Sequence, residues 1–134
     1  MTTYRSRLKS IKLLLVDVHG VMTDGGIYFS ETGEEFKKFN TQDGYGMVKL
    51  QTYGVRIGII TGRVSKLVQR RADELGIKEV HQNLENKLQV YESVKSKHQL
   101  TDKEIAYLGD DEPDMPVLKK VGFSAAPADA VESV

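Results

Sequence analysis

Cysteine is absent from the 134-residue chain, which removes disulfides, thiol nucleophiles and cysteine-based zinc sites together. Histidine is sparse. His19, His81 and His98 are scattered, an arrangement that argues against a histidine-rich zinc centre. Neither charge is in excess, because 19 basic side chains balance 19 acidic ones. Nucleic acids and anionic membrane surfaces recruit proteins through a basic surplus, so neither is expected as a partner. Long apolar runs are missing as well. The longest, Leu13 to Val16, falls far short of the roughly 20 residues that span a bilayer. The N-terminal segment carries Arg5, Arg7, Lys9 and Lys12 without an apolar stretch or cleavage site, so it does not read as a signal peptide. The expectation is a soluble cytoplasmic protein. No repeat, low-complexity stretch or linker interrupts the chain, and its length suits one domain over residues 1–134.

What the sequence does contain is alternation. Lys12 to Val18 is a nearly continuous apolar run ending in Asp17, the pattern of a strand buried on both faces of a parallel sheet. Ile27 to Phe29 and Glu35 to Phe39 flank Glu31-Thr32-Gly33 and predict a β-hairpin over about 26–40. Asp43 to Tyr53 predicts a helix with Asp43 as its cap, Met47, Val48 and Leu50 inward, and Gly54 as its stop. Val55 to Ile60 predicts a second buried strand, followed by a helix with Val64, Leu67, Val68, Ala72 and Leu75 at helical spacing. A short strand over Ile77 to His81, a helix over Glu85 to His98 and a strand over Glu104 to Leu108 come next. A helix from about Pro113 to Lys120 and a last short strand near Val121 to Ser124 complete the order. Strands alternating with helices over short connections predict an α/β fold with an open, mostly parallel sheet.

In such sheets ligands bind beyond the carboxyl ends of the strands. The residues at those ends are Asp17 with His19, Thr61 with Gly62 and Arg63, and Asp110 with Asp111. Carboxylates gathered on one rim repel one another, so a hard cation held by oxygen ligands belongs among them, and Mg²⁺ is favoured when a phosphate adds further ligands. Thr61 and the amides of Gly62 and Arg63 suit a phosphate, and Lys87 at a helix start neutralises the same group. A carboxylate beside such a cation can attack phosphorus and form an aspartyl-phosphate. Taken singly, these residues also have plain structural readings: turn former, loop threonine, solvated lysine, helix cap. It is their joint placement at strand ends, in this order, that points to chemistry. His81 and His98 read as structural or surface residues.

At these residues the sequence resembles the haloacid dehalogenase-like (HAD-like) phosphatases. Their first motif, Asp-x-Asp-Gly-x-x-Thr-Asp-Gly, is similar to Asp17-Val18-His19-Gly20-Val21-Met22-Thr23-Asp24-Gly25 with one exception. Ile60-Thr61-Gly62-Arg63 resembles the second motif, Lys87 the third and Gly109-Asp110-Asp111-Glu112-Pro113-Asp114 the fourth. The hairpin directly after the first motif, the lack of a large cap, and the run Phe39 to Gly46 narrow the likeness to the small capless subgroup acting on 3-deoxy-D-manno-octulosonate 8-phosphate. The resemblance covers Ile11 to Ala130. It implies a Rossmann-like three-layer sandwich with a mostly parallel sheet and a small β-hairpin flap. It further implies a small phosphorylated sugar acid as substrate, Mg²⁺ as cofactor, and a homotetramer whose neighbouring protomers shield each site.

By position, the resemblance makes Asp17 the nucleophile and a metal ligand, with residue 19 coordinating through its backbone carbonyl and Asp110 as a further ligand. Asp111 and Asp114 fall in or near the layer around those ligands. Thr61, Gly62 and Lys87 hold the phosphate. Arg63 becomes the candidate for the substrate carboxylate, and it favours an eight-carbon over a nine-carbon sugar acid, whose phosphatases tend to carry glutamate there. His19 is the exception: it stands where the family carries its second aspartate, the general acid/base. Loss of such a group costs about 10²- to 10⁴-fold in rate, although imidazole can itself transfer protons near neutral pH. The subgroup also continues past the position of Val134 into a glycine-rich tail with an arginine that reaches a neighbouring site. Two other readings compete with a phosphatase. One is a non-catalytic oligomerisation or regulatory module of the same fold, like those appended to some sugar nucleotidyltransferases. The other is a phosphoaccepting receiver domain, which the order of the motifs disfavours because here the acidic pair comes last.

Overall fold

The computed structural model describes residues 3–134. Its centre is a five-stranded sheet of β1 (Leu13–Val16), β4 (Arg56–Ile60), β5 (Glu79–His81), β6 (Ile105–Leu108) and β7 (Phe123–Ala125), in the order β5-β4-β1-β6-β7. Every pairing in it is parallel. The two remaining strands, β2 (Tyr28–Phe29) and β3 (Glu35–Phe36), form a separate antiparallel hairpin closed at its base by a bridge between Thr23 and Phe39.

Period-two alternation in the buried strands builds two cores, one on each face. Leu13 and Leu15 of β1 pack with Ile60, Tyr91, Val94, Ile105, Tyr107 and Val117, under α4 (Lys87–Lys97) and α5 (Met115–Leu118). Val16 faces the other way with Ile57, Ile59, Met47, Val68 and Ala72, under α2 (Thr41–Thr52) and α3 (Lys66–Glu74). The result is three layers, helix on sheet on helix. Gly58 leaves room within β4 for the core, since a Cβ there would lie 2.6 Å from Leu15 Cδ2 and the leucine would have to shift. Among the described residues no helix is long and apolar enough to cross a membrane.

Several expectations shift. A short helix, α1 (Tyr4–Lys9), precedes β1 where none was predicted; Thr3 caps it, and none of its residues is buried. The cap of α2 is Asn40, whose side chain accepts from the amides of Gln42 and Asp43, so Asp43 sits in the first turn instead of capping it. Met47 is buried as expected, but Val48 and Leu50 are exposed: α2 carries a narrow apolar stripe, and these two residues fall outside it. Val64 is exposed and precedes α3, which Ser65 caps. The helix expected from Pro113 to Lys120 is a 3₁₀ turn over Glu112–Asp114 followed by only four residues of α5. Pro113 and Pro116 both lack an amide hydrogen, which limits how regular that segment becomes.

Candidate active site

The register of the sheet makes the site. β1 pairs Leu13 with Arg56 on one side and with Ile105 on the other, so extending both ladders brings Asp17 level with Ile60 and Gly109. Thr61 and Asp110 each follow by one residue. The chain passes to one side of β1 for β4 and β5, and to the other for β6 and β7. β1 therefore lies at the topological switch point, where open α/β sheets bind ligands. A cleft of about 480 Å³ opens there, with Asp17, His19, Thr61, Arg63, Lys87 and Asp110 in its wall. Gly62, Asp111 and Asp114 line it too, so every residue singled out from the sequence meets in one place.

The loop after β1 is wound tightly. The Val18 carbonyl accepts from the amides of Val21, Met22 and Thr23, and the Thr23 hydroxyl accepts from those of Gly20 and Gly25. Gly20 is obligatory twice over: its φ is +80°, and a Cβ on it would lie 1.8 Å from Asp110 Oδ2. The missing side chain is what lets Asp110 approach the loop that carries Asp17.

Three carboxylates converge. Asp17, Asp110 and Asp114 each place an oxygen within 4.8 Å of the others. Asp114 is fully buried and fully used. One of its oxygens accepts from Lys87 Nζ at 2.6 Å and from the Tyr107 hydroxyl, and the other from the amides of Asp110 and Asp111 at 3.1 and 3.3 Å. Four donors occupy the four lone-pair positions of a carboxylate, so Asp114 has none to spare for a cation. Asp17 and Asp110 do. Lys87, itself buried, reaches Asp17 Oδ1 at 3.2 Å as well as Asp114, so one lysine is paired with two of the three acids.

That leaves the cluster short of positive charge. Burial is the main force pushing the Asp17 carboxyl up to about 6, against the pull of Lys87 and with a further push from Asp114. Burial and then Asp114 also raise Asp110. Two charges 4.8 Å apart repel by about 3 kcal/mol at an effective dielectric near 20, so a divalent cation between Asp17 and Asp110 would relieve a real cost. The donors are all oxygen, the set that Mg²⁺ prefers. The residues present fit such an ion.

Opposite the acids, Thr61 offers an unused group. Its Oγ1 is the buried side-chain polar atom left without a hydrogen bond among the described residues. A ligand oxygen in the cleft would satisfy it. Gly62 and Arg63 follow on an exposed turn. Asp111 is exposed and accepts from the Glu112 amide at 2.7 Å, so it caps the 3₁₀ turn that carries Asp114.

His19 lines the same cleft, and Lys37 Nζ lies 2.9 Å from its Nε2. Burial, then the positive charges of Lys37 and Arg63, hold the imidazole below its ordinary pKa. His81 and His98 are elsewhere. Both contact Glu79, at 2.8 and 2.6 Å, and play a structural part.

Sequence reasoning passed over Tyr107, Thr23 and Lys37. Tyr107 sits in an apolar strand, where its hydroxyl could have signalled a buried polar partner. Thr23 lies inside the first motif. Lys37 gave no local signal, because its contact with His19 spans 18 residues and depends on the hairpin folding back.

No family model matches the chain. The chain is 43% identical over 129 residues to the 3-deoxy-D-manno-octulosonate 8-phosphate phosphatase KdsC of Salmonella typhi, covering 96% of this chain and 69% of that protein. A crystal structure of 3-deoxy-D-manno-octulosonate 8-phosphate phosphatase from Yersinia pestis superposes with a TM-score of 0.93 at 45% identity, covering 95% of this chain and 69% of that one. The corresponding phosphatase from Moraxella catarrhalis, solved in complex with a magnesium ion, a phosphate ion and a KDO molecule, superposes with a TM-score of 0.91 at 38% identity. That match covers 94% of this chain and 72% of the other. The chain spans about two thirds of the length of the curated relatives it matches.

Proposed function

Because the chain belongs to the family of 3-deoxy-D-manno-octulosonate 8-phosphate phosphatases, within the HAD-like hydrolases, we propose that its cleft hydrolyses a small phosphorylated sugar acid of that kind through an aspartyl-phosphate on Asp17. The observation that carries this reading is the meeting of Asp17, Asp110, Lys87 and the unpaired Thr61 hydroxyl at one switch point.

Asp17 attacks phosphorus with a carboxylate oxygen, and the bond from phosphorus to the sugar oxygen breaks. Lys87 and the Thr61 hydroxyl bind the phosphoryl oxygens and hold them in line with that attack. Asp17, Asp110 and the backbone carbonyl of His19 are the groups that would hold Mg²⁺. When bound, the ion supplies positive charge to the transferring group and the nucleophile. Asp114 fixes Lys87 in place. Arg63, exposed at the mouth, presents a guanidinium fork to the substrate carboxylate. In the second half, water cleaves the aspartyl-phosphate and frees Asp17.

His19 stands where a proton must reach the leaving oxygen and later leave the attacking water. Its protonated form is disfavoured by burial and by nearby cations, so turnover slower than that of an aspartate-bearing relative is expected. The test is release of phosphate from 3-deoxy-D-manno-octulosonate 8-phosphate with and without Mg²⁺, beside Asp17→Asn and His19→Asp. Mg²⁺-dependent release abolished in Asp17→Asn is the expected result. No release above blank from any sugar phosphate would overturn the reading. The same substitution at residue 19 supports a second one, a non-catalytic HAD-like module, for which only His19→Asp would turn over.

We also propose a homotetramer in which neighbouring protomers cover the cleft. Ile27, Tyr28, Phe29 and Phe36 of the hairpin region are all exposed, and a bare two-stranded hairpin is marginal in water without a surface to pack on. A monomer by sedimentation at micromolar concentration would contradict this.

A further inference from the structure

Lys37 follows β3; the residue is half-buried, but its side chain is folded inward with 5% exposed. A buried ammonium must be hydrogen-bonded on the spot, and this one has two partners. Glu35 Oε1, two residues back on the same side of the strand, lies 2.8 Å away. His19 Nε2 lies 2.9 Å away, across the gap between the hairpin and the loop after β1. An ammonium has three hydrogens and no lone pair, so in this contact Lys37 donates and Nε2 accepts. An imidazole whose Nε2 accepts carries its proton on Nδ1.

We propose that Lys37 is a positioning residue for His19: with Glu35 behind it, it fixes the ring and makes Nδ1–H the hydrogen-bond donor available to an oxygen bound in the cleft. This rests on the phosphatase reading above and adds to it which atom of His19 faces the chemistry and what holds it there. Without Lys37 the ring is free to rotate and to exchange tautomers, and the donor is present only part of the time. The hairpin thereby acquires a second task, because folding of the flap fixes a hydrogen-bond donor on the other side of the cleft.

The test pairs a spectroscopic readout with kinetics on the full chain. In protein labelled with ¹⁵N at the imidazole rings, long-range ¹H–¹⁵N correlation spectra report which nitrogen carries the proton, and His19→Ala identifies the signals. Wild type is expected to show the Nδ1–H form, and Lys37→Met a mixture. In the phosphate-release assay, Lys37→Met should lower kcat by about 10- to 100-fold with KM changed by less than about twofold, as expected for a misplaced group. Lys37→Arg, which keeps a donor and the pairing with Glu35, should recover part of the loss and guards against misfolding. In the His19→Ala background, Lys37→Met should change kcat by less than about twofold. An unchanged tautomer in Lys37→Met, or the same loss of kcat with and without His19, would overturn the proposal. If wild type releases no phosphate, the functional reading fails, and the spectra still decide the role of Lys37.

Discussion

Asp114→Asn replaces one oxygen by an amide nitrogen in the least exposed polar side chain of the cleft. The native carboxylate accepts from two sides: Lys87 and Tyr107 on one oxygen, the amides of Asp110 and Asp111 on the other. An asparagine has one accepting end. If its carbonyl serves Lys87 and Tyr107, its NH₂ confronts two backbone N–H donors and leaves both unpaired. If its carbonyl serves the backbone, its NH₂ confronts an ammonium. Each buried donor left unpaired costs about 1–3 kcal/mol, and breaking a buried ion pair costs about 3–5 kcal/mol. Lys87 keeps Asp17 at 3.2 Å, which offsets part of the loss. A destabilisation of about 3 kcal/mol follows, a large share of the 5–15 kcal/mol typical of a domain and roughly 10 °C in Tm. Urea unfolding of Asp114→Asn beside Asp111→Asn measures it. The Asp111 change alters an exposed cap, where asparagine serves as well as aspartate, so it should cost under about 0.5 kcal/mol. Equal midpoints for the two variants would refute the account of Asp114 as the saturated anchor of Lys87.

Thr61→Val should separate stability from function. The Oγ1 is buried and unpaired, so its removal is expected to raise stability by about 1 kcal/mol in urea while weakening inorganic phosphate binding, read by titration calorimetry; lowered stability with unchanged phosphate affinity would count against it. Gly20→Ala combines a left-handed φ with a Cβ placed on Asp110, and is expected to lose at least about 1–2 kcal/mol of stability together with most Mg²⁺-dependent activity; near-normal activity would show that Asp110 can move without consequence. Glu79 is expected to contribute to acid stability. Burial would raise its pKa, but hydrogen bonds from His98, His81 and Lys97 outweigh that and hold it near 2, against an ordinary 4.5. A depressed carboxyl stabilises the fold above its unfolded pKa and stops doing so as pH falls through the folded one. Wild type should therefore lose more stability than Glu79→Gln between pH 4.5 and pH 2 in acid-unfolding curves, on the order of 1–2 kcal/mol after solvent screening of the pair, and parallel curves would refute this.

Residue type and spacing determined a good deal. Strands that read as apolar runs, such as Leu13–Val16 and residues 57–60, are buried on both faces, and a parallel sheet is the structure that needs such strands. With that topology, Asp17, Thr61 and Asp110 had to share a rim, since each follows a strand adjacent to or including β1. Helix limits were less legible. Asn40 took the cap expected of Asp43 because either side chain can accept from a first-turn amide, and only the path of the preceding chain selects between them. Val48 and Leu50 carry apolarity that periodicity assigns inward, yet the narrow contact of α2 with the sheet leaves them in water.

Tertiary structure alone decided which carboxylates remain free. The resemblance singles out Asp110 by position, but the physical reason appears only in the fold: Lys87, Tyr107 and backbone amides saturate Asp114, the turn occupies Asp111, and Asp110 is left facing Asp17. The partnership of Lys37 with His19 is of the same kind. Hydrophobic period is a property of neighbours in the chain and can be read from them, whereas a hydrogen bond between distant side chains exists only once the fold has fixed both ends.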